Sequence, residues 1–446
     1  MSSNYRSTCS LLGHTAAALV ITANLMPIAR AADATSNAGY SLEYTDNAQL
    51  APNNKKDEWT HVLSAGLSYL ENSRTLDARV HAQAAYRKYK NNIFSDDTVL
   101  GADANLLWRI SPDRFSWTLE DYLTQTAIQS LRPDTPSNRQ QTNVFTTGPD
   151  FKLRLSPVQV LQFGVRYTRN TYETSDVDST RNSGTVKWIY QSSPSTTLSL
   201  NYDAQKVNYD NEILNPNFDR QDAFLGIENR LSSNIFVLNA GATSIQREKV
   251  PDVDGSLARF SWTRLVSPVS TFALSISSEL SDVGRQALAA GQTAPSNQQN
   301  VPGASVTGDV FRTKNASVTF THRRVFGSDV IGLFKSKSEY KLSHAEEERK
   351  GGSFDISYEL SGALAASVFA RYVKTESAVV TPAAVFTDKN YGLRFSDRLT
   401  RNLSLGLVLS QNRRDHVDIL QSYTERHAML TLSYNDSSYS GPSSSK

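Results

Sequence analysis

The side chains best suited to acid–base chemistry in this 446-residue chain are its seven histidines, and His81 is the most suggestive of them. Read at a period of two residues, His81 shares a face with Asp77, Arg79 and Gln83. An imidazole in such company serves as a general base when a neighbouring segment supplies a Ser or Asp partner. The plainer reading, a wetted His on a polar wall, is adopted, and no residue is given a catalytic role. His322, His344 and His416 fall near element ends or in loops and need no special chemistry. There is no Walker loop, no paired Cys and no His-x-x-x-His, so neither a cofactor nor a metal is expected. Cys9 is the only cysteine and lies in a segment expected to be removed, which leaves no thiol or disulfide in the mature chain.

Other charged side chains recur on the same kind of face. Asp77, Arg79, His81, Asp103, Arg109, Arg166, Asp203, Arg259, Arg371 and Arg394 are the candidate lining of an enclosed interior. Two uses fit them. They pair across strands as ion-pair ladders that stiffen a wall, or rings of Arg select anionic or hydroxyl-rich solutes. Tyr122 on such a face has the flat ring that stacks on sugars.

What positions these residues is strict alternation. Leu76, Ala78, Val80, Ala82, Ala84 and Tyr86 oppose Asp77, Arg79, His81, Gln83 and Arg87, with Ala85 as the one apolar exception. Successive side chains of a strand point to opposite sheet faces, so each such stretch has one greasy and one wet side. Leu161-Phe163-Val165-Tyr167 and Leu403-Leu405-Leu407-Leu409 repeat the pattern, and helical spacing is absent from them. Short turns built on Ser111-Pro112, Ser156-Pro157, Ser193-Pro194 and Ser267-Pro268 separate these stretches, because Pro presets a turn and cannot donate to a ladder. They alternate with longer polar connections at residues 48–58, 90–98, 127–140, 173–179, 210–219, 248–255, 281–308, 341–352, 375–387 and 414–421.

Short turns at one end and long loops at the other describe an all-β transmembrane antiparallel up-and-down β-barrel with periplasmic turns and extracellular loops. The count from Tyr40 to Tyr434 gives 20 strands within a range of about 18–22. A soluble sandwich or propeller shows alternation too, but not the long–short rhythm. Trp108, Trp117, Trp188 and Trp262 lie near short turns, which makes them a periplasmic aromatic girdle. Twenty strands about 4.8 Å apart, tilted by about 40°, give a diameter near 40 Å and a lumen of roughly 25 Å.

Charged residues make up 20% of the chain and no apolar run of spanning length follows the N-terminus, which excludes a helical membrane protein. A net charge of +2 gives no argument for a nucleic-acid partner. Residues 1–31 have the pattern of a signal peptide: Arg6, an apolar stretch over Leu11 to Ile28, then Ala29-Arg30-Ala31. The expected division is therefore 1–31 signal, 32–39 a periplasmic N-terminal segment, 40–434 barrel and 435–446 a disordered Ser-rich tail. The 281–308 connection is expected to be a mobile external loop, and Glu346-Glu347-Glu348-Arg349-Lys350 a solvated loop tip.

Tyr44-Thr45-Asp46-Asn47, the stretch from Asn143 to Phe151 and the repeated Ser-Pro turns together resemble outer-membrane β-barrel proteins associated with exopolysaccharide biosynthesis and exosortase (PEP-CTERM) systems. None of these motifs is catalytic. The resemblance implies a role in export, secretion or surface attachment of polysaccharide, and the first expectation is a non-enzymatic barrel of a diderm outer membrane that conducts polysaccharide or helps to export it. A general or substrate-selective porin is the alternative, and an outer-membrane barrel hydrolase the third. The partners that follow are outer-membrane lipid and lipopolysaccharide, the barrel-assembly machinery, and polysaccharide with periplasmic export components. Ala428-Leu430-Leu432-Tyr434, ending on an aromatic, resembles the signal that the assembly machinery reads.

Overall fold

The computed structural model describes residues 32–293, 308–380 and 383–436; the expected signal segment lies outside it, as does the expected 435–446 tail apart from Asn435 and Asp436, which are paired strand and not tail. Twenty antiparallel strands form one sheet. They are β1 (Ala32–Thr45), β2 (Glu58–Asn72), β3 (Leu76–Tyr89), β4 (Asp97–Ser111), β5 (Phe115–Ala127), β6 (Arg139–Ser156), β7 (Gln159–Tyr172), β8 (Ser179–Ser193), β9 (Thr196–Tyr209) and β10 (Phe218–Arg230). The second half comprises β11 (Asn234–Arg247), β12 (Val253–Ser267), β13 (Ser270–Ser281), β14 (Phe311–Arg324), β15 (Gly327–Tyr340), β16 (Glu346–Glu359), β17 (Leu364–Ser377), β18 (Ala384–Arg398), β19 (Leu403–His416) and β20 (Tyr423–Asp436). Each strand pairs with its neighbours in sequence, and β1 pairs with β20 from Ser36↔Asp436 to Thr45↔His427. The sheet is thereby closed and has no free edge, the condition for backbone to cross hydrocarbon.

The two faces differ as the alternation requires. Leu63, Val165, Leu225 and Leu333 are each more than half exposed although they sit in mid-strand. The opposite face holds the fully buried Arg220 and Asp222. That face is the interior, because a helix following β13, α1 (Val283–Thr293), packs on it and also lies against β5 and β6, on another part of the ring. On β3, ten residues separate Leu76, the register partner of Trp108, from Tyr86. At a tilt of about 40° that span is about 26 Å high, close to the apolar band of such barrels.

The short turns carry the expected chemistry. In the turn between β4 and β5, Pro112 is followed by Asp113 at φ 65°, and the Arg114 amide donates to the Ser111 carbonyl at 3.1 Å. Trp108 and Trp117 face each other across β4 and β5 on the outer surface near this turn. The Trp117 Nε1 donates to Thr147 Oγ1 at 2.8 Å and the Trp262 Nε1 to Asn234 Oδ1 at 3.2 Å, so the rings meet lipid while their N–H groups stay paired.

Four expectations are corrected. Residues 32–39 are not a separate periplasmic segment: they form the start of β1, paired with β2 from Ala32↔Glu71 onward. Ala-Asp-Ala-Thr-Ser-Asn-Ala-Gly has too few large apolar residues to show alternation, yet its backbone completes the ladder. The Glu346 to Lys350 run is not a loop tip but the first five residues of β16. Several long connections are likewise shorter than the polar stretches suggested, with 341–345 replacing 341–352. Above the bilayer both faces of a strand are wet, so alternation stops while pairing continues. The 281–308 connection is not wholly external, since its first part folds inward as α1.

One strand tests the assignment of faces. Ala82 points to lipid and Ala85 to the lumen. Ala82→Arg should cost about 2–4 kcal/mol of folding free energy in lipid vesicles, while Ala85→Arg should cost well under half of that. Urea titration of both variants checks it, and equal penalties would contradict the assignment.

Candidate functional site, a partitioned charged lumen

The ten residues singled out from sequence all lie on the face that α1 packs against, and they divide into groups. Near the short-turn end, Arg109 pairs with Asp77 and also donates to the Ser73 carbonyl at 3.2 Å. His81 stands above them with its Nδ1 2.8 Å from Ser68 Oγ on β2, and its register partner on β4 is Asp103. Ser, His and Asp thus occupy three adjacent strands. The bond that would orient the imidazole, from His81 to Asp103, is not formed, and the hydroxyl uses the nitrogen that an Asp would take. This arrangement gives a polar wall rather than a nucleophile.

Arg166 is a brace. Its guanidinium donates to the Pro149 carbonyl at 3.0 Å and to Asp150 at 2.5 Å. Gly148 and Pro149 interrupt the ladder between Thr147↔Tyr167 and Asp150↔Gly164. A Cβ on Gly148 would sit 1.9 Å from the Val165 carbonyl oxygen, so only Gly fits there. Arg394 donates to Asp355 at 2.6 Å and lies 4.0 Å over the Phe369 ring. Tyr122 is buried and accepts from Asn105 Nδ2 at 2.6 Å, so its ring is committed to the wall.

Arg259 and Asp203 belong to a network that sequence reading did not assemble. Arg259 pairs with Glu279, Glu279 also meets Arg285 of α1 at 3.6 Å, and Arg285 reaches Asp222 at 3.2 Å. Asp222 is held by Arg220 at 2.9 Å and accepts from Thr243, and Asp203 is its register partner. Just before the helix, Asp282 pairs with Arg181 of β8 at 2.5 Å and caps α1 by accepting from the Arg285 amide at 3.1 Å. Tyr172, Val177, Val207, Tyr209, Phe218, Ile245, Leu280, Val283 and Val310 form an apolar cluster beside these ions. Together they fasten the start of α1 inside the barrel mouth.

Burial alone would push the Asp282 carboxyl up, but the guanidinia of Arg181, Arg220 and Arg285 hold it below the usual carboxylate range. Burial brings the Arg285 guanidinium down to about 10, which leaves it charged at neutral pH.

A second inward segment partitions the other side. The loop between β5 and β6 sends its Leu131 carbonyl to Arg414 of β19 at 2.9 Å. Arg414 is also bidentate to Asp388 and lies 4.0 Å over Phe386. Beneath this bridge is a cavity of about 610 Å³ whose lining includes Arg87, Arg132, Arg139, Arg349, Arg371 and Arg414, with Glu43, Glu58, Asp134, Asp388 and Glu425. Four of the five acids, all but Glu43, are already engaged. Glu58 accepts from the Asn91 and Ile93 amides, Glu425 from Thr45 and Asn412, and Asp134 from Arg139. Arg371 has no ion-pair partner among the described residues. An anion entering this chamber meets guanidinium groups with spare donors.

Sequence reading found Arg371 but missed Arg181, Arg220, Asp222, Asp282, Arg349 and Arg414. All lie at the loop ends of strands or in connections, where alternation no longer marks a face. Arg and Asp two residues apart, as in Arg220-Gln221-Asp222, were the available signal.

No family model matches the chain, and no curated protein matches it. Solved structures similar to it include the FrpB iron transporter from Neisseria meningitidis, at 10% identity and a TM-score of 0.49, covering 92% of this chain and 83% of that one. The outer membrane protein opdK from Pseudomonas aeruginosa is similar at 12% identity and a TM-score of 0.39, covering 91% and 98%. The copper transporter OprC is similar at 10% identity and a TM-score of 0.45, covering 91% and 80%. Likeness of this degree concerns architecture, and no cargo passes from those proteins to this chain.

The Asp282 latch sets a pH response. A carboxyl depressed on folding contributes stability above its ordinary pKa and loses it as pH falls through the lower folded value. A fluorophore on α1 should therefore report no release between pH 7 and 5, and release only below about pH 4. Breaking a buried ion pair by removing one partner costs about 3–5 kcal/mol, so Asp282→Ala should release the helix at neutral pH. An unchanged signal in that variant would contradict the latch.

Proposed function

We propose that this protein is an outer-membrane channel that passes anionic, hydroxyl-rich solutes, and that its cargo is an extracellular polysaccharide on its way out. The observation that carries the reading is the Arg-lined chamber beneath the Leu131–Arg414 bridge, where Glu58, Asp134, Asp388 and Glu425 are already bonded while Arg371 has no carboxylate partner. Fixed guanidinium groups lower the barrier for an anion and raise it for a cation. The polysaccharide part rests on the resemblance carried by Tyr44-Thr45-Asp46-Asn47 and the Asn143 to Phe151 stretch. In the barrel the latter includes the Gly148-Pro149 interruption braced by Arg166. A pore of this kind needs no catalytic residue.

The second reading is a selective porin for small anions, favoured by α1 and the β5–β6 loop, which both reach into the interior. Polymer export and small-solute uptake differ in what a deletion strain loses: surface polysaccharide in the first case, growth on small anionic solutes in the second.

Single-channel recording in planar bilayers tests the shared core of both readings. The wild-type barrel should show a reversal potential on the anion-selective side in a salt gradient. Arg371→Glu should shift that potential toward cations without loss of the folded barrel. Removing residues 283–293 should raise conductance by about twofold or more, since α1 occupies part of the cross-section. A wild-type barrel that passes no ions, or one whose selectivity ignores Arg371, would contradict the proposal.

A further inference from the structure

One concavity of the described surface lies outside the lumen. It is a groove of about 1260 Å³ on the outer wall, running across β14–β18. Ile331, Leu333, Phe354, Ile356 and Tyr372, each 40% exposed or more, form its lipid-facing sides. Gly352 opens its floor: a Cβ there would lie 2.8 Å from Leu333 Cδ2. Along β16 the groove extends from Ile356 to Lys350, six residues and about 20 Å.

Its two ends differ. The end toward the extracellular loops carries Lys350, Lys374 and Lys389. Lys350 lies ten residues above Leu360 in the turn that closes β16 and β17, and Lys374 lies ten above Leu364, where β17 starts. Both therefore stand about 26 Å above the short-turn end, at the outer border of the hydrocarbon layer. They join a ladder with one charge in excess: Lys335, Lys350 and Lys374 share Glu348 and Glu376. Such exposed pairs are individually weak, so a phosphate can recruit their ammonium groups at small cost.

We infer that this wall is a binding site for one molecule of the phosphorylated, multiply acylated glycolipid of the outer leaflet, with an acyl chain in the groove and a sugar phosphate on Lys350, Lys374 and Lys389. An apolar slot of chain-like length capped by cations matches an anionic amphiphile. The cations lie at the extracellular end, which selects an outer-leaflet lipid over a phospholipid of the inner one. On the opposite side of the barrel the outward positions at the loop ends of β8 and β11 are Thr180, Asn182, Ser244 and Gln246, and between them Lys206 of β9 is matched by Asp219 of β10. The inference does not depend on what passes through the lumen.

Native mass spectrometry of the full barrel in detergent tests it, with hexa-acylated lipid A as probe and phosphatidylglycerol as comparison. The wild type should retain one lipid A and bind phosphatidylglycerol more weakly. Lys350→Gln/Lys374→Gln/Lys389→Gln should weaken lipid A binding by about tenfold or more. Gly352→Leu, which fills the groove and keeps every charge, should weaken it as well, and provides an independent reading if the triple variant fails to fold. Lipid A binding unchanged in either folded variant, or phosphatidylglycerol bound as tightly as lipid A, would overturn the assignment.

Discussion

A polypeptide backbone inside hydrocarbon has no water to bond, and each unpaired amide or carbonyl there costs several kcal/mol. Everything else in this barrel follows from how that demand is met. Each strand finds partners in its sequence neighbours, and the two strands that lack a second neighbour, β1 and β20, find each other over ten residue pairs. The pairing reaches down to Ser36 and draws into the ladder a stretch with little hydrophobic content of its own. Closure also fixes the pleat, so one-residue alternation becomes a choice between lipid and lumen, and a slip by one position would reverse every side chain.

With the apolar face committed to lipid, the charged face must find its partners inside. It does so in two ways. Within the wall, side chains pair with neighbouring strands, as Arg109 does with Asp77 and Arg259 with Glu279. At the mouth, pairing reaches across the interior: Asp282 and Arg285 carry α1 to Arg181 and Asp222, and Arg414 holds the β5–β6 loop through a carbonyl. Desolvated ions of this kind stabilise little by themselves, but they punish alternatives because a lone buried charge is worse than either partner exposed. That makes them suited to fixing where a loop sits. In the chamber beside them Glu58 is held by loop amides, Asp134 and Asp388 by Arg side chains and Glu425 by Thr45 and Asn412, while Arg371 has no carboxylate partner.

What could be read from the sequence was the part that lipid imposes. Leu76 to Tyr86 and Leu403 to Leu409 alternate because one face of each is in hydrocarbon, and the strand count, the turn chemistry around Pro112 and the Trp108–Trp117 rim came with that. Legibility ended where lipid ends. Glu346 to Lys350 reads as a loop because both its faces are polar, yet it is paired strand whose outward charges form the Lys–Glu ladder. The 281–308 stretch reads as a free loop because nothing local reveals that Asp282 will meet an Arg about a hundred residues earlier in the chain. Partners of that kind are set by closure, which no short window contains.

Closure itself can be measured without disturbing either face. Ser41 and Thr431 oppose each other across the β1–β20 seam, with their hydroxyl oxygens 2.8 Å apart, and Cys9 is the only cysteine in the sequence. In a Cys9→Ser background, Ser41→Cys/Thr431→Cys should oxidise to an intramolecular disulfide once the chain is folded in outer membranes, and reduction should restore the migration of the open chain on denaturing gels. The control pair Ser41→Cys with Thr243→Cys, on distant β11, should not cross-link. A seam pair that stays reduced in folded protein, or a control that oxidises equally well, would mean that the sheet is not closed in this register, and the account would fail with it.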